Sequence, residues 1–136
     1  MANSTTAGSV TPLEFASLAE NPGGSVAINR MRLRKSGTSV TTCSIRIHLF
    51  TASPTVANGD NAAFSANKSA NWLGSFDVTV AQAFTDGAAV VVFPTLPVLI
   101  RMDPGVGSIY GLLEARSAYT PANAETFTVT LEAETA

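Results

Sequence analysis

The chain has 136 residues, 46% of them hydrophobic and 13% charged, with a formal net charge of −2. This length makes a single domain that can bury about two-thirds of its unfolded surface, so no metal or disulfide is needed to hold it. One cysteine, Cys43, excludes an intrachain disulfide framework and a multi-cysteine zinc site, and no apolar run approaches the roughly 20 residues of a membrane helix.

Charge content is about half that of an ordinary globular chain, and Ser, Thr and Asn supply much of the remaining polarity. Such side chains sit at strand faces and contacts without the desolvation cost of a full charge. The charge is uneven. Residues 1–48 carry five cations against two acids, a net +3, and residues 49–136 carry three against eight, a net −5. The start, MANSTTAGSV, lacks the charged and apolar parts of a signal peptide, so synthesis and assembly in a cytoplasm are expected.

In chain order, residues 1–24 form an N-terminal arm rich in Ser, Thr, Ala and Gly. Leu13, Phe15 and Leu18 give it one short extended segment ordered by packing, and Asn21-Pro22-Gly23-Gly24 turns the chain. Residues 25–136 form the folded domain. From Ser25 to Lys35, Val26 and Ile28 share one parity and Met31 and Leu33 the other. A β-bulge near Asn29-Arg30 reconciles them and aligns Arg30, Arg32 and Arg34 on one face, with Lys35 at the strand end.

Cys43, Ile45, Ile47 and Leu49 alternate with Ser44, Arg46, His48 and Phe50, the cleanest strand pattern in the chain. It is expected to form a hairpin with the preceding strand. Residues 51–70 are rich in turn formers, and a loop of that length is expected to bind something or to have short structure of its own, with Phe64 as its anchor. Further strands follow from Trp72 to Val80, Ala88 to Phe93 and Leu96 to Met102. The last two strands, from Ser108 and through Phe127, Val129 and Leu131, read as a closing hairpin.

The count is about eight strands without an amphipathic helix: an all-β, antiparallel β-sandwich, of jelly-roll or immunoglobulin-like type, with the even count and long early loop favouring a jelly roll.

Chemistry-bearing residues are sparse. His48 is the single histidine, on the polar row beside Arg46, and spacing gives it no carboxylate or second ligand. With no Gly-x-Ser-x-Gly turn, a nucleophile triad is not expected, and the chain reads as non-enzymatic. Asn58-Gly59-Asp60-Asn61 lacks the alternating acids and terminal glutamate of a calcium loop. Asp103-Pro104-Gly105-Val106-Gly107 lacks the Gly-Lys-Ser/Thr of a phosphate loop. Both read as turns, and no metal or cofactor is expected. The row Arg30, Arg32, Arg34 and Lys35 is the one notable charge feature, suited either to gripping phosphates or carboxylates of a partner or to standing as a solvated face paired across strands. An acidic chain without interleaved aromatics is a poor nucleic-acid binder. These four residues, with Leu13 and Phe15 of the arm, are the candidate protein-interface residues.

Two stretches, RMRLRKSGTSVTTCSIRIHLFTASPTVANGDNAAFS (Arg30 to Ser65) and YGLLEARSAYTPANAETFTVTLE (Tyr110 to Glu132), resemble a family of small proteins encoded among the structural genes of tailed bacteriophages. The chain looks like the jelly-roll cement, or decoration, proteins on the outside of phage capsids, and the likeness leaves residues 1–24 uncovered. The resemblance implies a virion protein that binds the major capsid protein, acts as a homodimer bridging neighbouring capsomers, and stabilises the head. It implies no catalytic residue, nucleic-acid contact or membrane contact. The alternative is a phage tail or tail-fibre adhesion module binding a host-surface receptor, for which Trp72, Tyr110 and Tyr119 are few aromatics.

Overall fold

The parity conflict in the Ser25–Lys35 run is resolved by one extra residue. In the computed structural model, which describes residues 10–40, 43–58, 63–94 and 98–135, β2 (Ser25–Lys35) pairs from Val26 to Lys35 with β9 (Phe127–Thr135). The register shifts between Ile28 and Arg30, leaving Asn29 as a bulge. Val26, Ile28, Met31 and Leu33 therefore all point inward and are buried. Arg30, Arg32 and Arg34 share the outer face.

Seven further strands complete the described fold: β1 (Leu13–Phe15), β3 (Ser44–Phe50), β4 (Trp72–Thr79), β5 (Gln82–Phe84), β6 (Gly87–Val92), β7 (Val98–Arg101) and β8 (Ile109–Ala115). They form two antiparallel sheets, a β-sandwich. The four-stranded sheet runs β1-β8-β3-β4. In the five-stranded sheet β2 is central, with β9 on one side and β6, then β7, on successive stretches of the other; β5 lies beyond β6. The orders β5-β6-β2 and β4-β3-β8 are those of strands D-E-B and C′-C-F in an immunoglobulin-type Greek key, with the first and last strands exchanged between sheets.

Two expected hairpins do not form. β2 and β3 lie in different sheets, and so do β8 and β9. Each of these strands has one apolar row, and facing rows about 10 Å apart across a core satisfy that pattern as well as neighbouring rows within a sheet do. The connections are long enough to cross: residues 36–43 link β2 to β3, and residues 116–126 link β8 to β9.

The main core joins Val26, Ile28, Met31 and Leu33 of β2 to Ile45, Ile47 and Leu49 of β3, with Val78, Val80, Ala88, Ile100, Met102 and Ile109. Cys43 is buried among them as a small apolar group; burial raises its thiol pKa, with the charge of Lys35 opposing. At Asp103-Pro104-Gly105-Val106 the expected turn closes with Val106 N–H donating to the Asp103 carbonyl at 2.9 Å, and Gly105 takes φ +77°.

The described part of the N-terminal arm belongs to the sandwich. β1 pairs with β8, Phe15 packs against the main core, and Ala19 is buried in it. A Cβ on Gly111, opposite Leu13, would come within 3.1 Å of the Phe15 ring, so the missing side chain makes room for β1.

Candidate interaction surface

The outer face of the five-stranded sheet is built by register. Across β2, Arg34 lies between Thr128 and Ala89, Arg32 between Thr130 and Val91, and Arg30 beside Glu132. Farther along, Ala27 lies between Glu134 and Leu99, and Ser25 faces Arg101. The face is therefore an arginine stripe with Thr and Glu on one flank and apolar side chains on the other. Leu99 is 68% exposed, Phe93 just past β6 is 69% exposed, and Phe84 and Val91 are exposed too. Arg32, Arg34, Phe84, Asp86 and Val91 line one depression.

Some of these arginines are occupied. Arg30 pairs with Glu132, and Arg34 lies 3.5 Å from the Asp86 carboxylate while donating to its carbonyl at 3.1 Å. Such exposed pairs are worth about 0–1 kcal/mol each. Arg32 and Arg101 have no acidic partner among the described residues.

Lys35 does not belong to this stripe. It shares inward parity with Met31 and Leu33, and its side chain is fully buried. Its ammonium donates to the Tyr119 hydroxyl at 2.8 Å and to Glu125 Oε1 at 3.2 Å, while the Tyr119 hydroxyl donates to the other Glu125 oxygen. Burial alone would lower the Lys35 pKa, but the hydrogen bonds and charge of Tyr119 and Glu125 raise it above its ordinary value. Burial likewise opposes charge on Glu125, yet bonds from Tyr119 and Lys35 hold its carboxyl below the ordinary range. A Cβ on Gly37 would overlap that carboxylate, so a side chain there would push Glu125 out of its place beside Lys35.

Leu13 and Phe15, the remaining expected interface residues, sit on β1 at the edge of the other sheet, half-buried. The structure thus gathers Arg30, Arg32 and Arg34 on one surface, and places Lys35 inside and Leu13 and Phe15 elsewhere. Sequence reasoning passed over Phe84, Val91, Phe93 and Leu99. Leu99 carried a signal, because it lies between Val98 and Ile100 of the inner row and so puts an apolar residue on the outer one.

The outer face of the four-stranded sheet is different. Residues 51–58 and 63–68 fold back over it, held by a bridge between Val56 and Ala66, and a second small core of Phe50, Val56 and Leu112 forms underneath with Phe64 and Tyr110. Phe64 stacks on His48 with ring centroids 4.6 Å apart. His48 Nδ1 accepts from the Trp72 indole N–H at 3.2 Å, which leaves Nε2 to donate to Glu114 at 2.8 Å and fixes one neutral tautomer. Burial works against a charged Glu114, but bonds from His48 and Arg116 prevail and hold its pKa down. Arg46 and Asp77 form a two-point pair at 2.6 and 3.0 Å that lowers the Asp77 pKa. The expected anchoring by Phe64 is present. Most of the turn Asn58-Gly59-Asp60-Asn61 lies outside the described residues, and among those described no group of His, Cys, Asp or Glu is arranged to hold a metal.

No protein-family model matches the chain, and no curated protein or solved structure matches it either.

Proposed function

We propose that this chain is a non-enzymatic structural protein of a tailed-phage virion, which sits on the outside of the head and cements neighbouring capsomers of the major capsid protein. The observation that carries the reading is the outer face of the five-stranded sheet. Two arginines without acidic partners among the described residues lie beside four exposed apolar side chains on this face, the mixture of Arg and apolar anchors that protein interfaces use. The phage resemblance of Arg30 to Ser65 and Tyr110 to Glu132 supplies the setting, assembly in a host cytoplasm. The reading calls for an acidic complement on the capsid, and repetition over a shell makes modest single contacts sufficient.

The test is co-sedimentation of the purified chain with empty shells of its own phage that lack it. Saturation at a fixed ratio to the major capsid subunit, abolished by joint replacement of Arg30, Arg32 and Arg34 with Ser, is expected. Absence of binding to shells, with the protein recovered in purified tails, would instead establish the second reading, a tail adhesion module. Trp72 favours that reading to the extent that the residue is 49% exposed and is bonded to His48, a platform of the kind that receives a sugar.

A further inference from the structure

We infer that β9 is a self-association edge, pairing antiparallel with β9 of a second copy so that one sheet runs through both molecules. The inference is independent of the shell reading, because it rests on the free backbone edge of β9, the side that faces away from β2, and not on the arginines.

Four observations carry it. First, among the described residues β9 pairs with β2 alone, leaving the backbone N–H and C=O groups along its other side without a strand partner. Second, it differs from the other edges. β1 and β5 have three residues each and β7 has four, while β4 is interrupted by Gly74 at φ +121° near a register shift. β9 has nine residues, and its sequence from Thr126 to Thr135 holds no Pro, Gly, Lys or Arg, the residues that ordinarily blunt an edge. The bulge at Asn29 lies in β2, so β9 itself stays regular.

Third, the inward row Phe127, Val129, Leu131 and Ala133 packs against the core yet remains partly exposed. A neighbouring strand with the same row would cover it. Fourth, the full-length register is free of like-charge clashes. With the two-fold axis at Leu131, every residue from Phe127 to Thr135 has a partner. Glu132 then faces Thr130 of the second copy, Glu134 faces Thr128, and Val129 faces Ala133. Shifting the axis to Glu132 would oppose two carboxylates, so the charges favour the register that pairs the most backbone.

The register gives a test with opposite signs for folding and association. Thr128→Glu with Thr130→Glu places carboxylates beside Arg34 and Arg32 of the same chain, which supports the fold, but opposite Glu134 and Glu132 of the second copy. The dimer should weaken at least about tenfold through four new carboxylate pairs, while circular dichroism and the melting midpoint stay as in the unmodified chain or improve. Thr128→Lys with Thr130→Lys should retain or tighten the dimer. Sedimentation equilibrium reads both, and Leu131→Cys should cross-link to its symmetry mate under mild oxidation, since Cys43 is buried. A wild-type chain that stays monomeric at hundreds of micromolar would overturn the inference, as would a Thr128→Glu/Thr130→Glu chain that remains dimeric. Loss of shell binding by the arginine variant with the dimer intact would leave this inference standing and separate the two surfaces.

Discussion

Lys35 and Arg32 belong to the same strand, yet the molecule treats their charges in opposite ways. Lys35 is enclosed, with its ammonium bonded to Tyr119 and Glu125 and the carboxylate seated against Gly37. Arg32 lies open beside Val91 and Thr130, with no acidic partner among the described residues. An enclosed charge matters for the fold, since removing its partner strands the other charge in a dry place. An open one matters little for stability and is free for a partner. The end of β2 is therefore a clasp, and its middle is an open, charged face.

The largest effect that separates the two regions is expected from Lys35→Met, which strands Glu125. It should cost about 3–5 kcal/mol, read as a lower midpoint in chemical denaturation. Adding Glu125→Leu and Tyr119→Phe should recover most of that loss. No recovery would mean that residues 117–126 are held by something other than the clasp.

The clasp also has a sign in pH. The Glu125 pKa is lowered from 4.5, so its stabilisation is complete above about pH 4.5 and is lost as the pH falls through the depressed value. The Lys35 pKa is raised from 10.5, so its share is complete below that value and is lost as the pH rises through the raised one. Melting midpoints measured against pH should decline at both extremes, and the triple-substituted chain should lose the Glu125 part of the acid decline. Asp77 and Glu114, whose pKa values are also lowered, would keep the remainder.

A smaller effect is expected from Phe64→Ala. It removes a partly buried ring from the His48 stack and should cost about 1–2 kcal/mol, less than a fully buried Phe. The single tryptophan, Trp72, bonds to the same imidazole, so its fluorescence should report the opening of the loop. The smallest stability change belongs to the open surface. Joint replacement of Arg30, Arg32 and Arg34 with Ser should shift unfolding by about 1 kcal/mol or less while abolishing attachment to shells. A large loss of stability would show that the stripe serves the fold.

What could be read from the sequence follows from the range of each interaction. The bulge was legible because two parities conflict within eleven residues of one strand, and the arginine stripe followed from it. The inward turn of Lys35 was implied by its parity with Leu33, but its partners stand 84 and 90 residues away, and no local pattern announces Tyr119 or Glu125. His48 was correctly placed on the outer row, whereas its enclosure depends on Phe64 and Glu114, one from a loop and one from β8. The missed arrangement of hairpins has the same origin. Alternation states which row is apolar and leaves open whether the matching row lies beside it or across the core.

The bulge at Asn29 has a consequence for how this gene can vary. The side chain there is exposed and donates one hydrogen bond, to Glu134 at 3.0 Å, but it is the position itself that sets the phase between the two halves of β2. Deleting one codon would put one half out of step with the other, carrying either Val26 and Ile28 into solvent or Arg30, Arg32 and Arg34 into the core. At that point the chain tolerates a change of letter far better than a change of length.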